Sequence, residues 1–263
     1  MLELSVAQVN SVTYVFAATI AAMGGAAIFF AMQRSEAAPK YRVVLALLSV
    51  VCLIAAYNYR ILYLGWTEAY SVVNGAVKVT GLAYNDSYRY ADWLLTVPTL
   101  LVVLVLVMDL PPAKARLRCI VLGSQAVEMI VLGYPGQGAP DMMTRWLWWM
   151  VAMVPFVIIV HQLYIALRAS VDNQPPAARG LVSAARFLTV SVWSVYPVLY
   201  LLPILGLTGP LTFAATQVCY ALADVTAKAA FGMLIYTTVM RKSEALRADG
   251  AEVAPAVAAM ARA

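Results

Sequence analysis

Seven long apolar runs limit what this chain can fold into. They lie at about residues 9–32, 43–64, 87–109, 115–134, 145–167, 184–204 and 211–240. A helix needs about 20 apolar residues to cross the roughly 30 Å hydrocarbon core of a bilayer. No water is available there, so backbone N–H and C=O groups must pair within the element, and runs of this kind become helices. Composition agrees, with 63% hydrophobic and only 12% charged residues, about half the charge of a soluble domain. The predicted fold class is an all-α membrane protein, a seven-transmembrane-helix bundle. Residues 1–242 form one transmembrane domain. Residues 243–263 form an Ala-rich tail with scattered charge, read as a frayed helix or a disordered segment.

The loops give an orientation. Arg34, Lys40 and Arg42, then Lys114, Arg116 and Arg118, then Arg168, Arg179 and Arg186 fall in alternate loops, and Arg241, Lys242, Arg247 and Arg262 fall in the tail. The positive-inside rule therefore expects a cytoplasmic C-terminus and an outside N-terminus. The loop between the second and third runs is the longest. It contains Val72-Val73-Asn74-Gly75-Ala76-Val77-Lys78-Val79. Asn-Gly between β-branched residues predicts a small extracellular β-hairpin.

Several function classes drop out. The formal charge of +5 is accounted for by membrane topology, and no basic cluster stands beside an aromatic platform, so no nucleic-acid partner is expected. Cys52, Cys119 and Cys219 all lie in apolar runs, where small buried hydrophobes are the expected role. The lone His161 cannot build a metal site by itself, and no metal is expected. No basic segment precedes the first run, so no cleavable signal peptide is expected.

Ionisable residues inside apolar runs are costly and mark function. Lys228 sits near the middle of the last run, with Asp224 four residues earlier on the same helix face. Two readings fit: a structural ion pair, or a lysine that forms a Schiff base with a carbonyl compound, with Asp224 as counter-ion. In the third run Arg89, Asp92 and Thr96 share a face. Two carboxylates, one Arg and one Lys can meet in a cluster of nearly balanced charge. Trp93, Trp148, Trp149, Trp193, Tyr196 and Tyr200 lie at similar depth, which suits a long, flat, apolar ligand.

Three motifs carry a family resemblance. Arg89-Tyr90-Ala91-Asp92-Trp93-Leu94-Leu95-Thr96-Val97-Pro98 resembles the third-helix signature of the microbial (type 1) rhodopsins, and among them of the proteorhodopsins. Trp193-Ser194-Val195-Tyr196-Pro197 resembles their sixth-helix signature, and Asp224-Val225-Thr226-Ala227-Lys228 their retinal-lysine motif. Arg145-Trp146-Leu147-Trp148-Trp149 resembles the start of their fifth helix. The resemblance implies all-trans retinal bound covalently to Lys228 as a protonated Schiff base. It implies Asp92 as primary counter-ion and proton acceptor, Asp224 as second counter-ion, Arg89 as holder of a water network, and Thr96 as a hydrogen-bond partner of Asp92. Trp93, Leu100, Met129, Trp149, Phe156, Trp193, Tyr196, Pro197 and Tyr200 would wall the retinal pocket, and Leu100 implies green absorption. A bacterial plasma membrane, membrane lipids and protons as partners, and a homo-oligomer are expected; enzymatic chemistry is not.

The departures from the family pattern matter as much. The usual cytoplasmic proton donor, eleven residues after the acceptor, is here Val103. Leu205 and Thr216 stand near the positions of the glutamates that some relatives use for proton release. Asn58 aligns weakly with the histidine that many proteorhodopsins place beside the acceptor; a non-titrating neighbour there would suit work in acidic medium. Glu128, an unexpected carboxylate in the fourth run, is either a hydrogen-bonded structural residue or part of a proton path. The leading expectation is a light-driven outward proton pump lacking the usual internal donor. The alternatives are a sensory photoreceptor with a slow photocycle, which would need a transducer partner, and inward-directed proton transport.

Overall fold

The structure is a computed structural model that describes residues 3–260. Seven helices are long and apolar enough to cross a membrane: α1 (Val6–Glu36), α2 (Pro39–Ala69), α3 (Tyr88–Leu106), α4 (Pro112–Gln137), α5 (Met142–Ile165), α6 (Pro176–Ile204) and α7 (Pro210–Ala248). They match the seven apolar runs, and most of them outrun the apolar stretch. Hydropathy marks only the part that faces lipid, whereas the backbone ladder continues until a stop signal.

Those signals are local. Ser5 caps α1 in a capping box with Gln8, each side chain bonding the other's backbone N–H. Asp141 accepts from the Thr144 N–H at 2.8 Å to start α5. Pro112, Pro176 and Pro210 stand in the first turns of α4, α6 and α7, where the missing N–H costs nothing. Inside α6 the helix breaks at Ser194. Pro197 lies three residues on, and its ring displaces the carbonyl of Trp193.

The hairpin forms from Tyr70–Val73 and Ala76–Val79, antiparallel, with Val73 opposite Ala76. Asn74 and Gly75 both have positive φ, 53° and 77°, as the tight turn between right-twisted strands requires. Tyr70 anchors it in an aromatic cluster with Phe16, Tyr59 and Trp66. The larger core cluster runs from mid-bundle to the opposite end through Phe30, Leu48, Leu101, Leu104, Phe231 and Ile235.

At that opposite end, Asp109 ties three helices together. Its carboxylate accepts from the Tyr41 hydroxyl at 2.6 Å and from Lys242 Nζ at 2.9 Å. Lys40 adds a third contact at 3.2 Å. Burial opposes ionisation of Asp109, but the hydrogen bonds from Tyr41 and Lys242 outweigh it and hold the carboxyl below its usual range. Beyond α7 the chain stays helical to Met260, where composition allowed either a frayed helix or disorder. Alanine is the strongest helix former, which gives the physical reason. Residues 261–263 of the tail lie outside the described residues.

Candidate functional site

Lys228 is 1% exposed at the centre of the bundle. It falls within a π-turn, Thr226–Ala230, that interrupts α7. Such turns widen the helix locally and often occur at functional sites. Its Nζ donates to Asp224 Oδ1 at 2.6 Å and to Asp92 Oδ2 at 2.9 Å. The pairing with Asp224 is the i, i+4 contact of one helix; the pairing with Asp92 joins α7 to α3.

The two carboxylates differ in their partners. Asp224 Oδ1 also accepts from the Tyr196 hydroxyl at 2.8 Å and the Trp93 indole at 3.2 Å. Its Oδ2 accepts from the Tyr59 hydroxyl at 2.7 Å. Among the described residues the Asp92 carboxylate has only Lys228, and its buried Oδ1 has no partner. Arg89, 2% exposed, donates to the Tyr59 hydroxyl and to Gln217 Oε1, both at 2.8 Å. Its guanidinium lies 3.9 Å from Asp224 and 5.1–5.5 Å from the ring centroids of Phe16, Tyr59 and Tyr220. Two cations and two anions thus share one buried site, and their charges cancel.

An elongated apolar cavity leads from Lys228 between α3, α4, α5 and α6. Trp93, Leu100, Met129, Trp149, Phe156, Trp193, Tyr196, Pro197 and Tyr200 all line it, together with Lys228 and Asp224. The Trp149 indole donates to the Pro197 carbonyl at 3.0 Å and joins two walls. At the hairpin side Tyr200 lies directly over Gly136: a Cβ there would stand 1.9 Å from its hydroxyl and 2.9 Å from Trp148 Cβ. Only glycine fits under these two side chains.

The structure sharpens three sequence-based expectations. Thr96 donates to the backbone carbonyl of Asp92 at 2.9 Å rather than to its carboxylate, as a helical threonine commonly does. Asn58 donates to the Ile54 carbonyl at 3.0 Å and is no hydrogen-bond partner of Asp92; the α2 residue that reaches the site is Tyr59. Glu128 is not brought to the site. Its neighbour Met129 lines the cavity, but one residue is about 100° of helix turn, and Glu128 faces outward with Gln125 at 2.9 Å. Val103 is fully buried among apolar side chains. Sequence reasoning missed Tyr59, Gln217 and Tyr220. Gln217 carried a signal: it is a polar residue in an apolar run, seven and eleven residues before Asp224 and Lys228, hence on their face.

The chain is similar to known proteins in sequence and fold. The bacteriorhodopsin-like protein family matches residues 10–242. The chain belongs to that family. As a microbial rhodopsin it shares the fold of xanthorhodopsin, a light-driven ion pump with dual chromophore, with a TM-score of 0.89 and 40% identity over 93% of this chain and 98% of that one. The green-light absorbing proteorhodopsin of Gamma-proteobacterium EBAC31A08 is 26% identical over 229 residues, 85% of this chain and 84% of that protein. Archaerhodopsin-1 of Halorubrum ezzemoulense is 28% identical over 147 residues, and there the match spans 55% of the relative's length. The family carries retinal bound to a lysine. The site fits that group: a buried primary amine at the end of a cavity walled by aromatic rings, with carboxylates at hydrogen-bond distance to balance a cationic nitrogen.

Proposed function

We propose that this rhodopsin is a light-driven outward proton pump carrying all-trans retinal on Lys228. The observation that carries the reading is the unequal pair of carboxylates around the Lys228 nitrogen. Retinal supplies an imine nitrogen at that place and a change of shape on absorbing light. The remaining work falls to the protein. Asp224 already accepts four hydrogen bonds and serves as the fixed counter-ion. Asp92 keeps one buried oxygen without a partner, so it has room to take the proton. Arg89, drawn toward the two carboxylates, is the mobile positive charge between them and the hairpin end.

The polar groups are distributed asymmetrically, and this favours the outward direction. From Asp224 the hydrogen bonds run through Tyr59, Arg89 and Gln217 toward the hairpin end. On the other side, Val103, Leu104, Leu48 and Phe30 are apolar and fully buried. The loop and tail basic residues support placing the hairpin outside and the tail in the cytoplasm, in a bacterial plasma membrane. Arg60 and Glu128 face outward on α2 and α4 with no salt-bridge partner among the described residues. Exposed charges at membrane depth need partners, which supports a homo-oligomer. No histidine stands at the acceptor, because His161 is exposed on α5; this supports transport in mildly acidic medium.

Cells expressing the protein test the reading. Illumination in unbuffered medium should acidify the outside, a protonophore should abolish the change, and Lys228→Ala should give none. Alkalinisation abolished by protonophore would indicate inward transport. A second reading rests on Val103: with an apolar cytoplasmic half, re-protonation is slow, and a slow cycle suits a sensor that acts through a transducer. A coloured, photoactive protein that produces no pH change would favour that role.

A further inference from the structure

The hydrogen-bonded path does not end at Gln217. The Gln217 amide, 1% exposed, uses both its ends: Oε1 accepts from Arg89 at 2.8 Å and from the Tyr84 hydroxyl at 3.2 Å, while Nε2 donates to Asp86 Oδ2 at 3.2 Å. Burial pushes the Tyr84 hydroxyl up, which keeps it a donor. Asp86 precedes α3 and lines a cavity of about 450 Å³ at the hairpin end, together with Arg145, Tyr200, Thr216 and Gln217. Among the described residues it is the only carboxylate lining that cavity. The positions where a release carboxylate is expected hold Leu205, which is 59% exposed, and Thr216.

The Asp86 side chain accepts from the Gln217 amide and does not cap α3. The N-cap of α3 is Ser87, and no side chain caps that helix start; it is the backbone carbonyl of Asp86 that accepts from the Arg89 N–H, at 3.1 Å. Meanwhile Arg89 Nε is buried without a partner. A buried unpaired donor on a charged group is a place for a bridging water.

We propose that Asp86 is the exit carboxylate of the transport path, an inference that rests on the outward-pump reading. When a proton neutralises Asp92, Arg89 loses part of its inward attraction. Asp92 then gives that proton to water at Arg89, and the water passes one to Asp86, so that Asp92 returns to the carboxylate and Asp86 becomes a carboxyl O–H. That O–H breaks toward water in the outer cavity and restores the carboxylate. Gln217 cannot carry the proton, because its amide does not titrate. It is a positioning residue that holds Asp86 within two hydrogen bonds of the guanidinium.

A single-flash measurement on the full retinal-loaded protein, with a pH dye outside, tests this. The wild type should release its proton before the dark-state absorption recovers. Asp86→Asn preserves an acceptor for Gln217 but cannot take a proton. It should keep the dark spectrum and delay release by about tenfold or more, and Asp86→Glu should restore early release. In infrared light-minus-dark spectra, a carboxyl C=O band should vanish in Asp86→Asn and shift in Asp86→Glu. Unchanged release timing in Asp86→Asn would overturn the proposal, as would loss of colour in both variants, which would make Asp86 a structural residue. If the wild type releases no proton outward, the pump reading fails, and the infrared band still decides whether Asp86 changes protonation.

Discussion

At the scale of single residues the site is governed by which atoms lack partners. Asp92 Oδ1 is free while Asp224 is fully hydrogen-bonded, and the proposed roles of Asp92 as proton acceptor and Asp224 as fixed counter-ion rest on that difference. Asp92→Asn should shift the visible absorption to the red, because the ground-state positive charge near the nitrogen loses its stabilising anion, and transport should cease. An absorption spectrum on the purified variant checks this; an unchanged maximum would remove Asp92 from the role. Gly136→Ala forces its Cβ into Tyr200 and Trp148, an overpacking that typically costs about 1–3 kcal/mol. It should lower the melting temperature and alter the absorption maximum together, since Tyr200 walls the pocket. Val103→Asp would place a titratable group in the apolar half of the bundle, away from the hairpin. In the wild type, dark-state recovery should slow as pH rises, since protons come from bulk water; in the variant it should be faster and nearly flat with pH. Lys228, Asp92 and Asp224 were legible in the sequence because a charge inside an apolar run is too costly to persist without a task. Tyr59 was not: a tyrosine in a membrane helix is ordinarily packing, and only the fold brings it to Asp224.

At the scale of elements, interruptions position the chemistry. The π-turn at Thr226–Ala230 and the break at Ser194 flank the cavity from α7 and α6. The hairpin was readable from Asn74-Gly75, because that pair is among the few that adopt positive φ without strain. The orientation of α4 was not readable. Its apolar pattern surrounds Glu128 on most sides, and periodicity alone could not say whether that carboxylate faces the bundle or the lipid. The Asp109 latch makes a pH prediction. Its carboxyl is depressed below the ordinary 3.8, so its contribution is present above that value and is lost as pH falls through the depressed folded value. Asp109→Asn should therefore destabilise the protein near neutral pH by about 1 kcal/mol, allowing for solvent screening at this part-exposed site. The deficit should shrink below about pH 4. Melting curves of both proteins across pH check this; a deficit constant into strong acid would contradict it.

At the scale of the whole molecule, seven helices enclose one neutral cluster whose polar path opens toward a single end. Fold class and span count were readable because lipid leaves the backbone few options; the hydrogen bond from Gln217 to Asp86 was not, since it joins residues 131 positions apart. The outward charges on α2 and α4 predict parallel copies in contact, with Arg60 of one against Glu128 of the next. Arg60→Glu or Glu128→Arg alone should reduce the oligomer seen by native mass spectrometry, and the double swap should restore it; full-size oligomers in both single variants would contradict the pairing. In the proposed function, light drives a proton from the Lys228 centre out through the hairpin end. The direct measurement is the net charge moved per flash across a planar bilayer holding the protein in one known orientation. Outward pumping requires one positive charge per turnover toward the face bearing the hairpin, abolished in Asp92→Asn. Net charge moving toward the tail face, or none after the cycle closes, would contradict it.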